Sequence, residues 1–427
     1  MAEIRPFRAL RFTDKAGRAE DLTCPPYDII SEQQRQELLA RSSYNIVRLE
    51  LPRDGDDPYQ KAGETLREWL KNGILKKDDR PAVYVYEIEF SLDGGGRRSV
   101  AGIAAQVKLE EFEKGVVLPH EETLSKAKTD RFNLMKATNC NFSSVYSLYM
   151  DGPEKALDIN TLVADERPAA VMTDWDGLTH RLWAVTDSRK ISAVCGHFAD
   201  KKLYIADGHH RYETALNYRN YLREKGAPAG AASDYVMMVM VEMSHPGLVV
   251  FPTHRLVRGI KDFAPDRIIA ECEKYFEITK GIELSSINQA LQSGYQAGRH
   301  TFAFYAGGGS FTLLTLRDTS VMEEFLPGLS PASRSLDVAI LHSLVLERLM
   351  GIDRENMANQ RSLTYTRNIS QVLDGVSSGE YQCGFILNPT RITEIRDVAL
   401  AGEKMPQKST YFYPKLITGL TMNMLDD

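Results

Sequence analysis

The stretch Leu203-Tyr-Ile-Ala-Asp-Gly-His-His-Arg-Tyr-Glu-Thr-Ala-Leu216 constrains this chain more than any other. Four apolar or β-prone residues, Leu203 to Ala206, predict a short buried strand. From Arg211 to Arg223, Tyr212, Ala215, Leu216, Tyr218, Tyr221 and Leu222 recur at helical spacing. Asp207-Gly208-His209-His210-Arg211 must therefore turn the chain from strand to helix within a few residues. Gly208 permits a tight turn that a Cβ would obstruct. The amides at a helix start attract anions. Two imidazoles, a guanidinium and a carboxylate at such a junction can hold a phosphate and move a proton. The plainer alternative is a polar turn with Asp207 as the helix N-cap.

A length of 427 residues exceeds one small core and predicts two or three lobes. The net charge of −6 argues against a general nucleic-acid binder. It leaves room for a local basic pocket around a small anion. No apolar run approaches the roughly 20 residues a membrane helix needs, and Met1 to Phe7 lacks the apolar region of a signal peptide. The five cysteines are scattered and form no C-x-x-C pair. A cytoplasmic setting without membrane, disulfide framework or structural zinc is the expectation.

Along the rest of the chain, Ile4–Phe12 alternates as a strand. Pro25 and Pro26 stiffen the segment that carries Tyr27 and Asp28, and Ser31 caps a helix over Glu32–Ala40. Asn45–Leu51 reads as a strand and Tyr59–Asn72 as an amphipathic helix stopped by Gly73. Ala82–Leu92 and Arg98–Lys108 form a hairpin. Pro119-His-Glu-Glu122 then opens a densely charged stretch that includes Lys128 and Arg131. Here Thr129 or Asp130 would cap a helix over Arg131–Ala137. A carboxylate beside a histidine can act as a base or hold a magnesium-bound water. The alternative is a solvated charged helix face. Asn141–Met150 and Tyr235–Met243 read as strands. In Val249–Leu256, His254 and Arg255 follow Pro252 as a further ligand contact. Pro265–Tyr275 and Ser285–Gln296 read as helices, Thr301–Ala306 with Phe311–Leu316 as a hairpin, and Ser335–Met350 as one long helix. Near the end, Lys408-Ser409-Thr410 resembles the close of a phosphate loop but lacks the upstream glycines, so a P-loop is rejected. Lys404, Lys408, Ser409, Thr410 and Lys415 among aromatics remain able to close over an anionic ligand. The fold class expected is α+β, with a core over 1–260 and a C-terminal α+β lobe over 261–427 whose tail returns to the site.

Cys24-Pro-Pro-Tyr-Asp28, Pro119-His-Glu-Glu-Thr123, Lys128-Thr-Asp-Arg131, Ala206-Asp-Gly-His-His-Arg-Tyr212, Pro252-Thr-His-Arg255 and the segment Met405–Lys415 together resemble the prokaryotic family called domain of unknown function 1015. The resemblance runs from Arg5 to Gly419 and implies no activity. Asp207-Gly-His-His-Arg211, entering a helix, is also similar to the signature of free serine kinases in the ParB/sulfiredoxin-like superfamily. That similarity covers about a dozen residues. It implies a ParB/sulfiredoxin-like phosphate-binding core, with Asp207 as a catalytic carboxylate. Gly208, His209, His210 and Arg211 would then lie at nucleotide phosphates. The kinases use a further glutamate from an earlier segment. Glu121 and Glu122 are the candidates, with Asp28 behind them. The phosphate turn has no cysteine for sulfiredoxin chemistry, and no basic helix-turn-helix for DNA partitioning is present.

The leading expectation is a phosphotransferase that moves phosphate from a nucleotide di- or triphosphate (ATP or ADP, with Mg²⁺) to a small hydroxylated metabolite, free L-serine first. His120, Lys128 and Arg131 would assist at the phosphates. Tyr27, Asp28, His254, Arg255, Lys408, Ser409 and Thr410 would contact substrate. Run in reverse, or with water as acceptor, the same site would dephosphorylate phosphoserine. Two alternatives stand beside it. One is a non-catalytic nucleotide-binding switch of the ParB type. The other is a metal-dependent hydrolase built on His120, Glu121, His209 and His210, although their spacing is not a zinc signature.

Overall fold

Two long strands, Val83–Ser91 and Arg97–Lys108, pair antiparallel from Tyr84↔Ala104 to Ser91↔Arg97. Residues 83–86 and 102–107 are buried on both faces and almost wholly apolar, whereas Glu87, Glu89 and residues 97–99 toward the turn reach solvent. The structure, a computed structural model, describes residues 1–92, 95–121, 123, 125–152, 156–164, 166–359, 361–406 and 408–426. By its contacts the chain forms two compact units. The first comprises Met1–Pro119, Thr123–Val249 and Pro414–Asp427; the second comprises Val250–Tyr413 with His120 and Glu121. Both are α+β. No helix among the described residues is long and apolar enough to cross a membrane.

The first unit is built on a mixed sheet. Its strands run in the order Val117–Leu118, Leu203–Asp207, Val145–Tyr149, Tyr235–Glu242, Arg97–Lys108, Val83–Ser91, Thr179–Val185 and Ala170–Thr173. Leu203–Asp207 pairs parallel with Val117–Leu118 and antiparallel with Val145–Tyr149. Tyr235–Glu242 runs parallel to Val145–Tyr149 and antiparallel to Arg97–Lys108. Gly102 makes the last pairing possible, since a Cβ there would sit 2.7 Å from the Met240 carbonyl oxygen. Helix His209–Glu224 covers one face. Its Tyr212, Ala215, Leu216 and Tyr218 join Val85, Ile103, Ile205 and Met238 in a single core. Each large apolar side chain buried this way contributes about 1.5–3 kcal/mol.

A second core gathers Leu38, Val47, Leu49, Leu66 and Trp69 from the N-terminal helices with Leu134 of helix Ser125–Thr138. Helix Glu32–Arg41 starts at a reciprocal capping box between Ser31 and Gln34. Helix Pro58–Lys71 starts with Asp57 as N-cap and proline at its first position. The C-terminal segment closes this unit. Asn423–Met424 pairs with Cys140–Asn141, and Cys24 and Thr418 exchange backbone hydrogen bonds of 3.2 and 2.9 Å.

The second unit holds an antiparallel sheet in the order Phe276–Glu283, Ser310–Leu316, Thr301–Tyr305, Cys383–Ile386, His254–Val257 and Leu363–Thr366. Helices Leu284–Gln296 and Ile369–Ser377 press Ile287, Leu291 and Val372 onto Leu256, Ala303 and Ile386.

Several elements differ from the sequence reading. Asn45–Leu51 is no strand: Val47–Glu50 is a helical turn. Asn45 is buried and its side chain decides this, donating to the carbonyls of Asp21 and Thr23 and accepting from the Val47 amide at 2.9 Å. The helix expected from Arg131 begins at Ser125 and ends at Thr138. Ile4–Phe12 divides into Ile4–Arg5 and Leu10–Phe12, and Asn141–Met150 into Cys140–Asn141 and Val145–Tyr149. Ser335–Met350 is not one α-helix. It comprises Asp337–Leu341 followed by a π-helical turn, His342–Glu347.

Candidate functional site

In the first unit, strand Leu203–Asp207 has a register shift between Ile205 and Asp207 where it pairs with Val145–Tyr149. Such bulges re-aim a side chain. Gly208 follows at φ +92° and ψ +28° and is itself the N-cap of helix His209–Glu224. The Asp207 carboxylate therefore does not cap the helix. The first intrahelical bond at this end runs from the Tyr212 amide to the Gly208 carbonyl (3.0 Å), and the preceding helical amides have no intrahelical acceptor. A Cβ on Gly208 would lie 2.8 Å from Arg211 Nε. Glycine is thus required twice here, by its backbone angle and by the guanidinium packed over it.

Asp207 is clasped by two cations. Arg211 Nη2 donates to Oδ2 and Lys415 Nζ donates to Oδ1. Burial pushes the Asp207 carboxyl up. Lys415, Arg211 and, more weakly, His209 outweigh it and hold the group well below the ordinary carboxylate range. Arg211 also donates through Nη1 to the Ser144 carbonyl. Arg211 Nε and Thr214 Oγ1 are buried and have no hydrogen-bond partner among the described residues. Both residues line a cavity of about 40 Å³, together with Glu50, Arg131 and Ser143. That volume accepts a water or a ligand oxygen.

The same cavity brings in a carboxylate that sequence reasoning missed. Glu50 is fully buried and accepts from Ser143 Oγ at 2.8 Å. Its Oε1 lies 3.8 Å from Arg131 Nη1. Burial raises the Glu50 carboxyl, with Arg131, the Ser143 hydroxyl and Arg211 acting in the opposite direction. The signal available in the sequence was a lone acid in the mainly apolar segment Ile46–Leu51, which also carries Arg48. Arg131 stacks over the Tyr27 ring, its Cζ 4.1 Å from the centroid. It also donates to the Glu50 carbonyl and to Asp130, both at 2.6 Å. Burial raises the Tyr27 hydroxyl, which lies within the field of both Arg131 and Arg211. Asp28 is exposed beside it.

The remaining predicted residues fall into separate settings. His209 is buried and His210 partly exposed in the first turn of the helix. Lys128 pairs with Glu213 at 2.8 Å, and Thr123 donates to the same carboxylate oxygen. In the second unit, His120 Nε2 lies 3.0 Å from Thr410 Oγ1, and Glu121 accepts from the Lys408 amide at 2.7 Å. Ser409 donates to the Pro406 carbonyl. His254 accepts from the Leu387 amide at 3.3 Å. Burial first, then Arg255, lowers its imidazole to about 4. Arg255 is fully buried and donates to the carbonyls of Thr253 and Lys408. Glu122 lies outside the described residues. Among the described residues no group of three or more His, Cys, Asp or Glu side chains is arranged to hold a metal ion.

The arrangement in the first unit can bind an oxyanion. Arg211, Lys415 and the helix-start amides lie at one turn, and an acid of raised proton affinity lines the same small cavity as Arg211. The backbone is similar to a conserved hypothetical protein from Pyrococcus furiosus, at 14% identity and a TM-score of 0.36, covering 74% of this chain and 94% of that one. A free serine kinase in complex with AMP is similar at 14% identity and a TM-score of 0.37, covering 73% of this chain and 90% of that one. SbnI with a C-terminal truncation, from Staphylococcus aureus, is similar at 11% identity and a TM-score of 0.35, with 75% and 87% covered. TM-scores of this size carry no argument about activity. No curated protein matches the sequence. Residues 4–339 match the family described as protein of unknown function (DUF1015), and the chain belongs to that family.

Proposed function

We propose that this protein is a nucleotide-dependent phosphotransferase acting on a small hydroxylated metabolite, free L-serine, with a ParB/sulfiredoxin-like phosphate-binding core. The observation that carries the reading is the turn at Gly208. There Arg211, whose Nε has no hydrogen-bond partner among the described residues, and Lys415 stand at the start of a helix. Phosphate oxygens compete with Asp207 for those two cations and draw further bonds from the helix start. The resemblance of Asp207–Arg211 to the free serine kinase signature supplies the acceptor. Asp207 is the carboxylate at the turn that would hold Mg²⁺ arriving with the nucleotide, and the ion would supply charge neutralisation at the phosphates.

The proton acceptor is assigned to Glu50 rather than Asp207. A general base works best when its proton affinity approaches the operating pH. Asp207 is held far on the ionised side, whereas burial moves Glu50 toward the working range. The serine hydroxyl oxygen attacks the terminal phosphorus, its proton passes to Glu50, and the bond from that phosphorus to the nucleotide oxygen breaks. Arg211, Lys415 and the helix-start amides stabilise the charge on the transferring group.

The low proton affinity of Asp207 also favours a second reading, a nucleotide-binding switch in which the turn only grips phosphates. One experiment separates the two. Parent, Asp207→Asn and Glu50→Gln proteins are incubated with L-serine, Mg²⁺ and a panel of nucleotides, and O-phosphoserine is measured by mass spectrometry. Product from the parent that falls at least 100-fold in Glu50→Gln supports the transferase. Nucleotide binding without product from any donor replaces it with the switch.

A further inference from the structure

The second unit contains a cavity of about 170 Å³. Leu326, Leu329, Leu336 and Met357 make it largely apolar, and His342 and Tyr365 add polar atoms to its wall. Its volume is close to the roughly 150 Å³ of an apolar cavity that accepts benzene. Shape therefore points to a ligand with a compact hydrocarbon body.

Charge points to the other end of that ligand. Arg255 is fully buried on strand His254–Val257, and no carboxylate among the described residues pairs with it. Two carbonyls accept from its terminal nitrogens, and Nε has no partner. Its Cζ lies 5.4 Å from the centroid of the Tyr365 ring. Removing a cation from water without a counter-charge costs several kcal/mol. Burial lowers the Arg255 guanidinium to about 10. His342 begins the π-helical turn His342–Glu347, a geometry that recurs at functional sites. The His342 side chain is buried, and its Nε2 has no partner among the described residues. Burial, and then Arg255, hold its imidazole well below the ordinary range, so it is neutral and free to donate one N–H. One further cation, Lys404 on the cavity wall, and two acids stand near. Glu121 is engaged by the Lys408 amide, and Glu347 is exposed at the cavity rim.

We propose that this cavity binds a small carboxylate with an apolar body, its charged end toward Tyr365 and His342 in the field of Arg255. The hydrocarbon packs on Leu326, Leu329 and Leu336. A neutral isostere fills the same space and leaves Arg255 without a counter-charge. Inorganic phosphate brings charge and leaves the apolar wall unfilled. The proposal is independent of phosphotransfer, because binding here needs neither nucleotide nor serine.

The test uses the full chain and the probes hexanoate, benzoate, hexanamide and inorganic phosphate. Melting temperature and titration calorimetry are measured for the parent, Arg255→Met and Leu336→Trp. A carboxylate is expected to raise the parent's melting temperature and to bind at least 10-fold more tightly than hexanamide. Arg255→Met and Leu336→Trp each abolish that response. Arg255→Met alone relieves a buried charge without a counter-ion but also removes the donors to the Thr253 and Lys408 carbonyls, so its melting point is expected close to the parent's. Absence of binding by both carboxylates, equal affinity for hexanamide, or a response that survives Leu336→Trp overturns the proposal. So does a markedly lower melting point for Arg255→Met, which makes the guanidinium a structural tie. A phosphate response that Arg255→Met leaves unchanged belongs to the turn at Gly208; one that it removes overturns the choice of carboxylate.

Discussion

Lys415 donates to Asp207 across 208 residues of sequence, and Arg211 donates to the other oxygen of the same carboxylate. One carboxylate thus serves two cations, which leaves a net positive charge at the turn for a second oxyanion.

Asp207→Asn leaves two clustered cations without their counter-ion and destabilises the fold by about 3 kcal/mol at pH 7. The pH dependence follows from a carboxyl depressed in the folded state. Its stabilisation is present above the unfolded value of about 3.9 and is lost as pH falls through the folded value. Urea unfolding between pH 2 and 7 should show parent and variant converging at the acid end. The same variant should gain more from added inorganic phosphate than the parent does.

Glu50→Gln should behave in the opposite way. Burial raises the Glu50 carboxyl, so its ionisation opposes folding as pH rises above the unfolded value of about 4.3. Glutamine keeps an acceptor for Ser143 and removes that charge. At pH 7 the variant should be at least as stable as the parent, with the difference vanishing below about pH 4. Phosphotransfer should nevertheless fall about 10²- to 10⁴-fold. Urea melts at two pH values and a product assay check both halves.

Gly208→Ala forces an alanine to φ +92° and drives its Cβ toward Arg211. A loss of about 1–3 kcal/mol in stability is expected, together with weaker nucleotide binding. Thermal melts with and without nucleotide measure the two effects separately.

Lys415→Met removes one charge-assisted partner of the phosphates. Nucleotide affinity should fall by about 1.5–3 kcal/mol, roughly 10- to 150-fold. Lys415→Arg should recover part of it, and calorimetric titration reads both.

The turn was legible because three requirements coincide in five residues: a buried strand, a glycine and a helix start. The hairpin Val83–Ser91/Arg97–Lys108 was legible for a similar reason, with β-prone runs on both sides of a glycine-rich turn. The segment around Glu50 was not. Its alternation predicts a strand, and only Asn45, reaching the distant carbonyls of Asp21 and Thr23, makes it helical. Nothing local marks Glu50 as the neighbour of Arg131 and Ser143. The lysines of the tail stand out in the sequence, yet the pairing of Lys415 with Asp207 depends on tertiary contacts such as Cys24 with Thr418. Helix Ser125–Thr138 starts before both expected caps, Thr129 and Asp130, and Asp130 binds Tyr59 and Arg131.

The long separation between Asp207 and Lys415 has a consequence for synthesis. At 5–20 residues per second, a ribosome delivers Lys415 about 10–40 s after Asp207. Throughout that interval the nascent chain carries the glycine turn and Arg211 without the second cation. A message broken anywhere in that span yields a product whose grip on phosphate is half-built.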